Sequence, residues 1–159
     1  MEKNSGFTLL EVLVAMIIMA GGLLGLAGLQ ATSLKNNQTA YNRSQATQLA
    51  YDMADRMRAN RTYAKTVTNN NYLLTTKPTE GVDGCLSSED GGCTTAQMAT
   101  NDIFEWNQAV ADALPGGTGT VTVAGNVFTI RVNWPENRYD NTTGRMVTQT
   151  STFLMSFQL

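Results

Sequence analysis

Ser5-Gly6-Phe7-Thr8-Leu9-Leu10-Glu11-Val12 opens the stretch that decides the fold, and an apolar run follows it to Leu34. Residues 12–34 contain no ionisable side chain. At about 1.5 Å of rise per residue, they form a helix of roughly 34 Å. That length crosses the hydrocarbon core of a bilayer, which is about 30 Å thick. The run is therefore typical of a removable secretory signal, a simple membrane anchor or a buried core helix.

Glu11 distinguishes among these three interpretations. An ionised carboxylate in an apolar segment costs a few kcal/mol in hydrocarbon, so a signal peptide or a plain anchor has no use for one there. A paired cation would remove most of that cost. The alternative is an interfacial glutamate in the first turn of a helix, where the helix dipole tolerates an anion.

The hexapeptide Gly6-Phe7-Thr8-Leu9-Leu10-Glu11 resembles the cleavage and methylation signal of type IV prepilins. The resemblance implies that a prepilin peptidase/methyltransferase cuts between Gly6 and Phe7 and methylates the new amino group of Phe7. Cleavage there leaves a cationic amine near Glu11. An amine and a carboxylate from neighbouring subunits can neutralise each other in a dry fibre core, where either charge alone is penalised.

Four glycines lie within about two turns of this run: Gly21, Gly22, Gly25 and Gly28. Gly21 and Gly25 have the small-xxx-small spacing that allows helices to approach closely in lipid. Each glycine also lowers helix stability by about 1 kcal/mol relative to alanine. In pilin fibres the corresponding segment unwinds, so the resemblance makes these glycines candidates for helix melting. Many major pilins have a proline where this chain has Gly28.

The helix is predicted to continue beyond the membrane to about Asn60, because polar residues follow Leu34 without a helix breaker. An apolar stripe at helical spacing predicts a face that packs on a folded domain; it comprises Leu34, Tyr41, Ala46, Leu49, Ala50, Met53, Ala54 and Met57. The end of this helix, Arg56-Met57-Arg58-Ala59-Asn60, resembles the minor pilins called PilV. The arginines would also simply favour a helix C-terminus.

Residues 62–100 are rich in Thr, Asn, Gly and Ser and predict a long irregular connection. If this segment is exported, a disulfide between Cys85 and Cys93 is the natural outcome. A redox-active or metal-binding pair is the alternative, although the spacing is not Cys-x-x-Cys. Asp102 followed by Glu105 predicts a capping box for a short helix.

That helix has Ile103, Trp106, Val110 and Leu114 on one face, and Pro115-Gly116-Gly117 ends it. The segment from Trp106 to Gly117 also resembles PilV. Three strands are predicted after it: 118–123, 127–134 and about 146–157. Ala124-Gly125-Asn126 is a hairpin turn signal, Pro135 is expected to end the second strand, and Phe153, Met155 and Phe157 share one face of the third.

Together these patterns predict an α+β fold: a long N-terminal helix, membrane-inserted in its first half, packed against a small antiparallel sheet, as in type IV pilins. The predicted segments are a leader (1–6), a transmembrane or fibre-core helix (7–34), its amphipathic continuation (35–61) and a globular head (62–159). The resemblance implies that the head lies in the periplasm while the helix spans the inner membrane once, and in the extracellular pilus fibre after assembly.

Composition argues against an enzyme. The chain of 159 residues has no histidine and two cysteines, which excludes a Ser-His-Asp triad, a Cys-His pair and the common zinc sites. Asp83, Glu89 and Asp90 could be imagined as calcium or acid-base residues of a membrane-anchored periplasmic enzyme, but acids in a Gly/Ser-rich loop are usually solvated. No catalytic residue, metal or cofactor is predicted, and the charge pattern lacks a nucleic-acid patch.

The resemblance implies a minor pilin, a non-catalytic subunit of the type IV pilus that takes part in assembly, priming or adhesion near the tip. Its expected partners are other minor pilins, the major pilin, the prepilin peptidase, the inner-membrane assembly platform and the lipid bilayer. A minor pseudopilin of a type II secretion system is the alternative, because its N-terminal signal is similar.

Overall fold

The computed structural model describes residues 6, 8–66, 68–85 and 92–159. The elements, in chain order, are α1 (Leu9–Ala59), α2 (Arg61–Ala64), a 3₁₀ turn (Asn71–Leu73), α3 (Thr95–Ala113), β1 (Thr118–Ala124), β2 (Val127–Asp140) and β3 (Arg145–Phe157). The predicted α+β fold is confirmed, with a long N-terminal helix and a small antiparallel sheet. Contacts divide the chain into one unit that ends at Ala40 and a second unit, Tyr41–Leu159, here called the head.

The sheet has three antiparallel strands in the order β1-β2-β3. β1 pairs with β2 from Thr118↔Asn133 to Ala124↔Val127, and Gly125 has the positive φ of 58° that the tight turn between these strands requires. β3 pairs with β2 from Phe128↔Phe157 to Asp140↔Arg145. Alternate residues of β2 are buried, as the sequence predicts: Phe128, Ile130, Val132 and Trp134.

The prediction that Pro135 ends the second strand is wrong. β2 continues through Pro135, which is opposite Thr150, to Asp140. β1 already ends at the pair Thr118↔Asn133, so beyond that point β2 has a neighbour on one side only. Proline lacks an N–H group and is tolerated in a strand where one side of the ladder is unpaired.

The core of the head lies between the second half of α1, α3 and the sheet. Met53 and Met57 are fully buried, and so are the alanines of the predicted stripe: Ala46, Ala50 and Ala54. The stripe does not extend as far towards the N-terminus as predicted, because Leu34 and Tyr41 are 69% and 57% exposed. Helical spacing alone does not determine which residues of an apolar stripe are covered.

The capping box of α3 is not the predicted pair. α3 begins at Thr95, and the Thr94 side chain accepts a hydrogen bond from the backbone N–H of Gln97 while the Gln97 side chain binds the Thr94 N–H. Asp102 and Glu105 therefore lie in the middle of the helix. Both pairs fit the spacing of a capping box, but the stretch before Asp102 is long enough and polar enough to be helical from Thr95.

Trp106 joins the three layers of the core. Its side chain is fully buried, and its indole Nε1–H donates to the carbonyl oxygen of Leu49 at 2.7 Å. On the other side of the ring, β1 approaches so closely that a Cβ atom at Gly119 would overlap the indole. Glycine at position 119 therefore permits the close packing of α3 on the sheet.

Candidate functional site

The residues that the sequence singles out fall in four places: the start of α1, the glycines of α1, the end of α1 and the disulfide loop. The fold brings the end of α1 together with α3. The start of α1 and its glycines lie in the other unit.

Thr8 caps the first turn of α1. Its carbonyl oxygen accepts hydrogen bonds from the N–H groups of Glu11 and Val12, at 3.1 and 3.3 Å, and its Oγ1 accepts from the Glu11 N–H at 3.3 Å. Glu11 therefore lies in the first turn, near the positive end of the helix dipole. Within residues 6, 8–66, 68–85 and 92–159, Glu11 forms no ion pair. Phe7 lies outside the described residues.

The apolar run of α1 is exposed along its length. Leu9, Leu24 and Ile18 are 85%, 75% and 70% exposed. One helix of the described chain is long and apolar enough to cross a membrane, and none of its most apolar 18-residue window is buried. A soluble core helix of this composition would be covered by its own domain. An apolar surface of this size marks a site that contacts lipid or other protein chains.

The four glycines of the run are helical and make no close packing contact within the chain. At Gly21, Gly22, Gly25 and Gly28, a Cβ atom would meet nothing within 4 Å. Thr32 Oγ1 donates to the Gly28 carbonyl oxygen at 3.1 Å, a type of bond that slightly weakens and often bends a helix. Among the residues that the structure describes, no packing contact therefore requires glycine at these positions.

Arg56, near the end of α1, binds three carboxylates. Its Nε donates to Asp52 Oδ2 at 3.1 Å, and its Nη1 donates to Asp102 Oδ1 at 3.2 Å and to Glu105 Oε2 at 2.8 Å. Burial alone would lower the pKa of Arg56, but the bonds to Glu105, Asp52 and Asp102 raise it above its ordinary value. The guanidinium therefore remains charged and ties α1 to α3.

Tyr72 extends this cluster to the 3₁₀ turn. It is 1% exposed, and its hydroxyl donates to Asp102 Oδ2 at 2.6 Å. Asn60 donates from Nδ2 to the Tyr72 hydroxyl and to the Thr95 carbonyl oxygen. Burial, together with the bond to Asp102, raises the pKa of Tyr72, so the phenol stays neutral at ordinary pH. The result is a polar cluster that holds α1, α3 and the connection between them.

Arg58 has a different contact. Its guanidinium lies 5.2 Å from the ring centroid of Phe157, at the end of β3, and pairs with Asp55. Met57, between the two arginines, is buried in the core. Arg61 is exposed. The stretch Arg56–Asn60 therefore does more than favour a helix C-terminus, since three of its side chains, Arg56, Arg58 and Asn60, fasten other elements to α1.

Cys85 and Cys93 form a disulfide, with their Cα atoms 4.9 Å apart. Asp83 is exposed, whereas Glu89 and Asp90 lie outside the described residues. In the part of the chain that is described, no three His, Cys, Asp or Glu side chains come close enough together to hold a metal ion.

Sequence reasoning missed the roles of Asp102, Glu105 and Tyr72. Asp102 and Glu105 are three residues apart, so on a helix they share a face, and a pair of acids on one face is a signal for a facing cation. That signal was interpreted as a helix cap instead. For Tyr72 the only sequence signal was the apolar cluster Tyr72-Leu73-Leu74 within a polar connection.

A capped N-terminal helix with an exposed apolar surface, followed by a head with a small antiparallel sheet, is consistent with the fold of a type IV pilin. The comparisons with known families agree. Residues 1–27 match the family model of the prokaryotic N-terminal methylation motif, and residues 28–104 match the model described as type IV pilin Tt1218. Over these residues the chain is similar to type IV prepilins. Its sheet lies beyond the matched residues.

No curated protein and no solved structure gives a significant match. The methylation motif implies processing by a prepilin peptidase and a context of pilus assembly. Type IV pilins are in general structural subunits and not catalysts.

Proposed function

We propose that the chain is a minor pilin, a non-catalytic subunit of the type IV pilus with a role in assembly, priming or adhesion near the tip. One observation carries this proposal: the match to the methylation motif includes the start of a helix whose residues are all exposed from Leu9 to Leu34 in the described structure. A bilayer, and later the helices of other subunits, would cover that surface. Its partners would be the major pilin, other minor pilins and the inner-membrane assembly platform.

In this proposal the leader, 1–6, lies in the cytoplasm, 7–34 crosses the inner membrane, 35–61 is the amphipathic continuation of α1, and the predicted globular segment, 62–159, lies in the periplasm. Cleavage between Gly6 and Phe7 then frees the chain to enter the fibre. The exposure of Gly6 is compatible with access by a peptidase.

The methylated amine of Phe7 would neutralise Glu11 of a neighbouring subunit in the fibre core. Two observations support this pairing: Glu11 forms no ion pair within the described chain, and its carboxylate belongs to an exposed first turn. An unpaired carboxylate among packed apolar helices would be strongly penalised, so the pair would select the axial register of subunits.

Gly21, Gly22, Gly25 and Gly28 would let α1 unwind in the fibre. Their open surroundings support this role, because no packing inside the chain accounts for glycine there. The bond from Thr32 to the Gly28 carbonyl also provides a partner for one backbone group if the helix opens.

Among minor pilins, we assign the chain to the PilV type. The assignment rests on Arg56–Asn60 and on the segment from Trp106 to Gly117. Both segments have structural roles in the head: Arg56 and Asn60 hold α3 and Tyr72, and Trp106 binds Leu49 and packs on Gly119.

A minor pseudopilin of a type II secretion system is the second candidate, since its N-terminal signal is similar and a head with one disulfide suits either fibre. Deletion of the gene separates the two. The pilus proposal predicts loss of surface pili and twitching with normal exoprotein secretion, restored by the wild-type gene. Intact pili with blocked secretion would contradict it and support the pseudopilin.

A further inference from the structure

The outer face of the sheet, which points away from the core of the head, is rich in hydroxyl groups. It consists of the residues that alternate with the buried ones of β2, such as Ile130 and Val132, and of their partners on β1 and β3. No residue of this face is acidic, although the chain has 13 Asp and Glu residues. Two threonine repeats flank β2 on this face: Thr118, Thr120 and Thr122 on β1, and Thr148, Thr150 and Thr152 on β3.

Two asparagines of β2 present hydrogen-bond donors on this face. Thr152 Oγ1 donates to Asn133 Oδ1, and Thr148 Oγ1 donates to Asn137 Oδ1, both at 2.8 Å. Each bond occupies the amide oxygen and orients the amide, so that its Nδ2 remains as a donor. Within residues 6, 8–66, 68–85 and 92–159, neither Nδ2 group has an acceptor. The outer face therefore offers amide donors whose orientation is already set.

Arg131 is the one charged residue of the outer face, and it lies between the two threonine repeats. Its partners in the pairing register are Thr120 on β1 and Leu154 on β3. In the part of the chain that is described, its exposed side chain forms no ion pair. A guanidinium has five donors in a planar fork that matches a carboxylate. The centre of this face is therefore suited to an anionic group that also accepts hydrogen bonds.

A groove of about 590 Å³ lies where this face meets the connection that follows the 3₁₀ turn. Leu74 is 45% exposed and gives the groove an apolar wall. An apolar wall with a few convergent polar groups is typical of a site for a small ligand. The side chains that the groove brings together are Arg131, Asn133 and Thr120 from the sheet and Leu73, Leu74 and Thr75 from the connection.

We propose that this groove binds a carboxylated sugar. The carboxylate pairs with Arg131, sugar hydroxyls bond to Asn133 and Thr120, and the C–H face of the ring packs on Leu74. Charge complementarity selects this ligand, because one guanidinium balances one carboxylate, whereas a phosphate monoester carries nearly two charges. A nucleic acid would need several cations along its backbone, and this face has one.

The binding itself is a property of the head alone. Only its use in adhesion rests on the proposed function, for which an acidic sugar would be the class of ligand.

The test titrates the purified full-length chain in detergent with tetragalacturonate and measures binding by calorimetry. Two matched compounds separate the features of the ligand: the methyl ester of the same tetrasaccharide keeps the sugar and removes the charge, and tetraglutamate keeps the carboxylates without the sugar. The proposal predicts that tetragalacturonate binds and that both other compounds bind at least about tenfold more weakly.

Two variants identify the groove. Arg131→Gln removes the cation, and Asn133→Asp replaces the amide donor with a carboxylate oxygen of nearly the same shape. Each should weaken the binding of tetragalacturonate by about tenfold. Arg145→Gln is the matched control and should leave binding unchanged, because the exposed Arg145 pairs with Asp140 on the other face of the sheet. Circular dichroism verifies that all three variants fold.

Three results would overturn the proposal: no binding of tetragalacturonate, equal binding of its methyl ester or of tetraglutamate, or equal losses in Arg131→Gln and Arg145→Gln. The last result would mean that net charge alone attracts the ligand. Failure of the pilus function is separately visible, because deletion of the gene reports on pili and secretion, whereas the titration uses the purified chain and needs no fibre.

Discussion

Arg56 Nη1 donates a 2.8 Å hydrogen bond to Glu105 Oε2 and so fastens α1 to the middle of α3. The two residues are 49 positions apart in the sequence. α1 is one continuous helix from Leu9 to Ala59. Through this contact and the Trp106 bond to Leu49, the helix that carries the processing signal is also part of the core of the head.

Replacing Arg56 with methionine is expected to lower the free energy of unfolding of the head by about 1–3 kcal/mol, because Asp102 and Glu105 lose a charged partner in a partly buried site. The partial exposure of all three side chains keeps the loss below that of a buried ion pair. Chemical unfolding of the full-length chain in detergent measures it. Arg61→Met is the matched control, expected within about 0.5 kcal/mol because Arg61 is exposed. Equal effects would contradict the role of Arg56.

Acid is expected to weaken the head through Glu105. The hydrogen bond from Arg56 lowers the pKa of Glu105 below its ordinary value of 4.5 in the folded state. The resulting stability is complete above that ordinary value and is lost as pH falls through the lower, folded-state pKa. Unfolding midpoints measured from pH 7 down to pH about 3 should therefore fall less steeply in Glu105→Gln than in the wild type.

Asp140 provides the control for this titration. The hydroxyl of Thr143 and the N–H of Thr142 lower the pKa of Asp140 too, but this carboxylate lies at a hairpin end, away from Arg56 and α3. Asp140→Asn should leave most of the acid dependence in place. If it flattens the profile and Glu105→Gln does not, the assignment to Glu105 is wrong.

A methyl group at position 119 is expected to disrupt the contact between β1 and α3. Gly119→Ala should cost about 1–3 kcal/mol, because the new Cβ overlaps the buried Trp106 ring. The double variant Gly119→Ala with Trp106→Phe should cost less than the sum of the two single variants, since a smaller ring relieves the overlap. Additive losses in chemical unfolding would mean that the two positions do not interact.

Replacing Glu11 with valine should leave the chain inserted and cleaved but poorly assembled, because the carboxylate would have its partner only in a neighbouring subunit. The measurement compares the processed protein in membranes with the protein in sheared fibres. Met16→Val, another exposed position of the same helix, is the control. Normal incorporation of the Glu11 variant would refute the proposed pairing.

Patterns that depend on neighbouring residues predicted the structure well. The alternation of Phe128, Ile130, Val132 and Trp134 predicted β2, because burial of one sheet face repeats every second residue. Gly125 predicted the hairpin for an equally local reason, because the tight turn requires a positive φ at that residue. The prediction that Pro135 ends β2 is wrong for a non-local reason. The cost of a proline in a strand depends on whether another strand pairs with that side, and the end of β1 is determined by the whole sheet.

The contacts of the candidate site were harder to predict from the sequence. Helical spacing predicted the buried face of α1 around Met53, but it could not show that Leu34 and Tyr41 are exposed. Asp102 and Glu105 fit a local role as a cap, and only the tertiary structure shows that they face Arg56. Short-range spacing thus predicts elements, whereas partners distant in sequence are decided by packing.

The intact mass and N-terminal residue of the protein extracted from membranes test the central claim most directly. A mature chain that begins at methylated Phe7 is the result predicted by the methylation motif. An uncleaved chain that begins at Met1, or cleavage near Ala27 or Ala31, would indicate an ordinary anchor or signal peptide and would contradict the prepilin account.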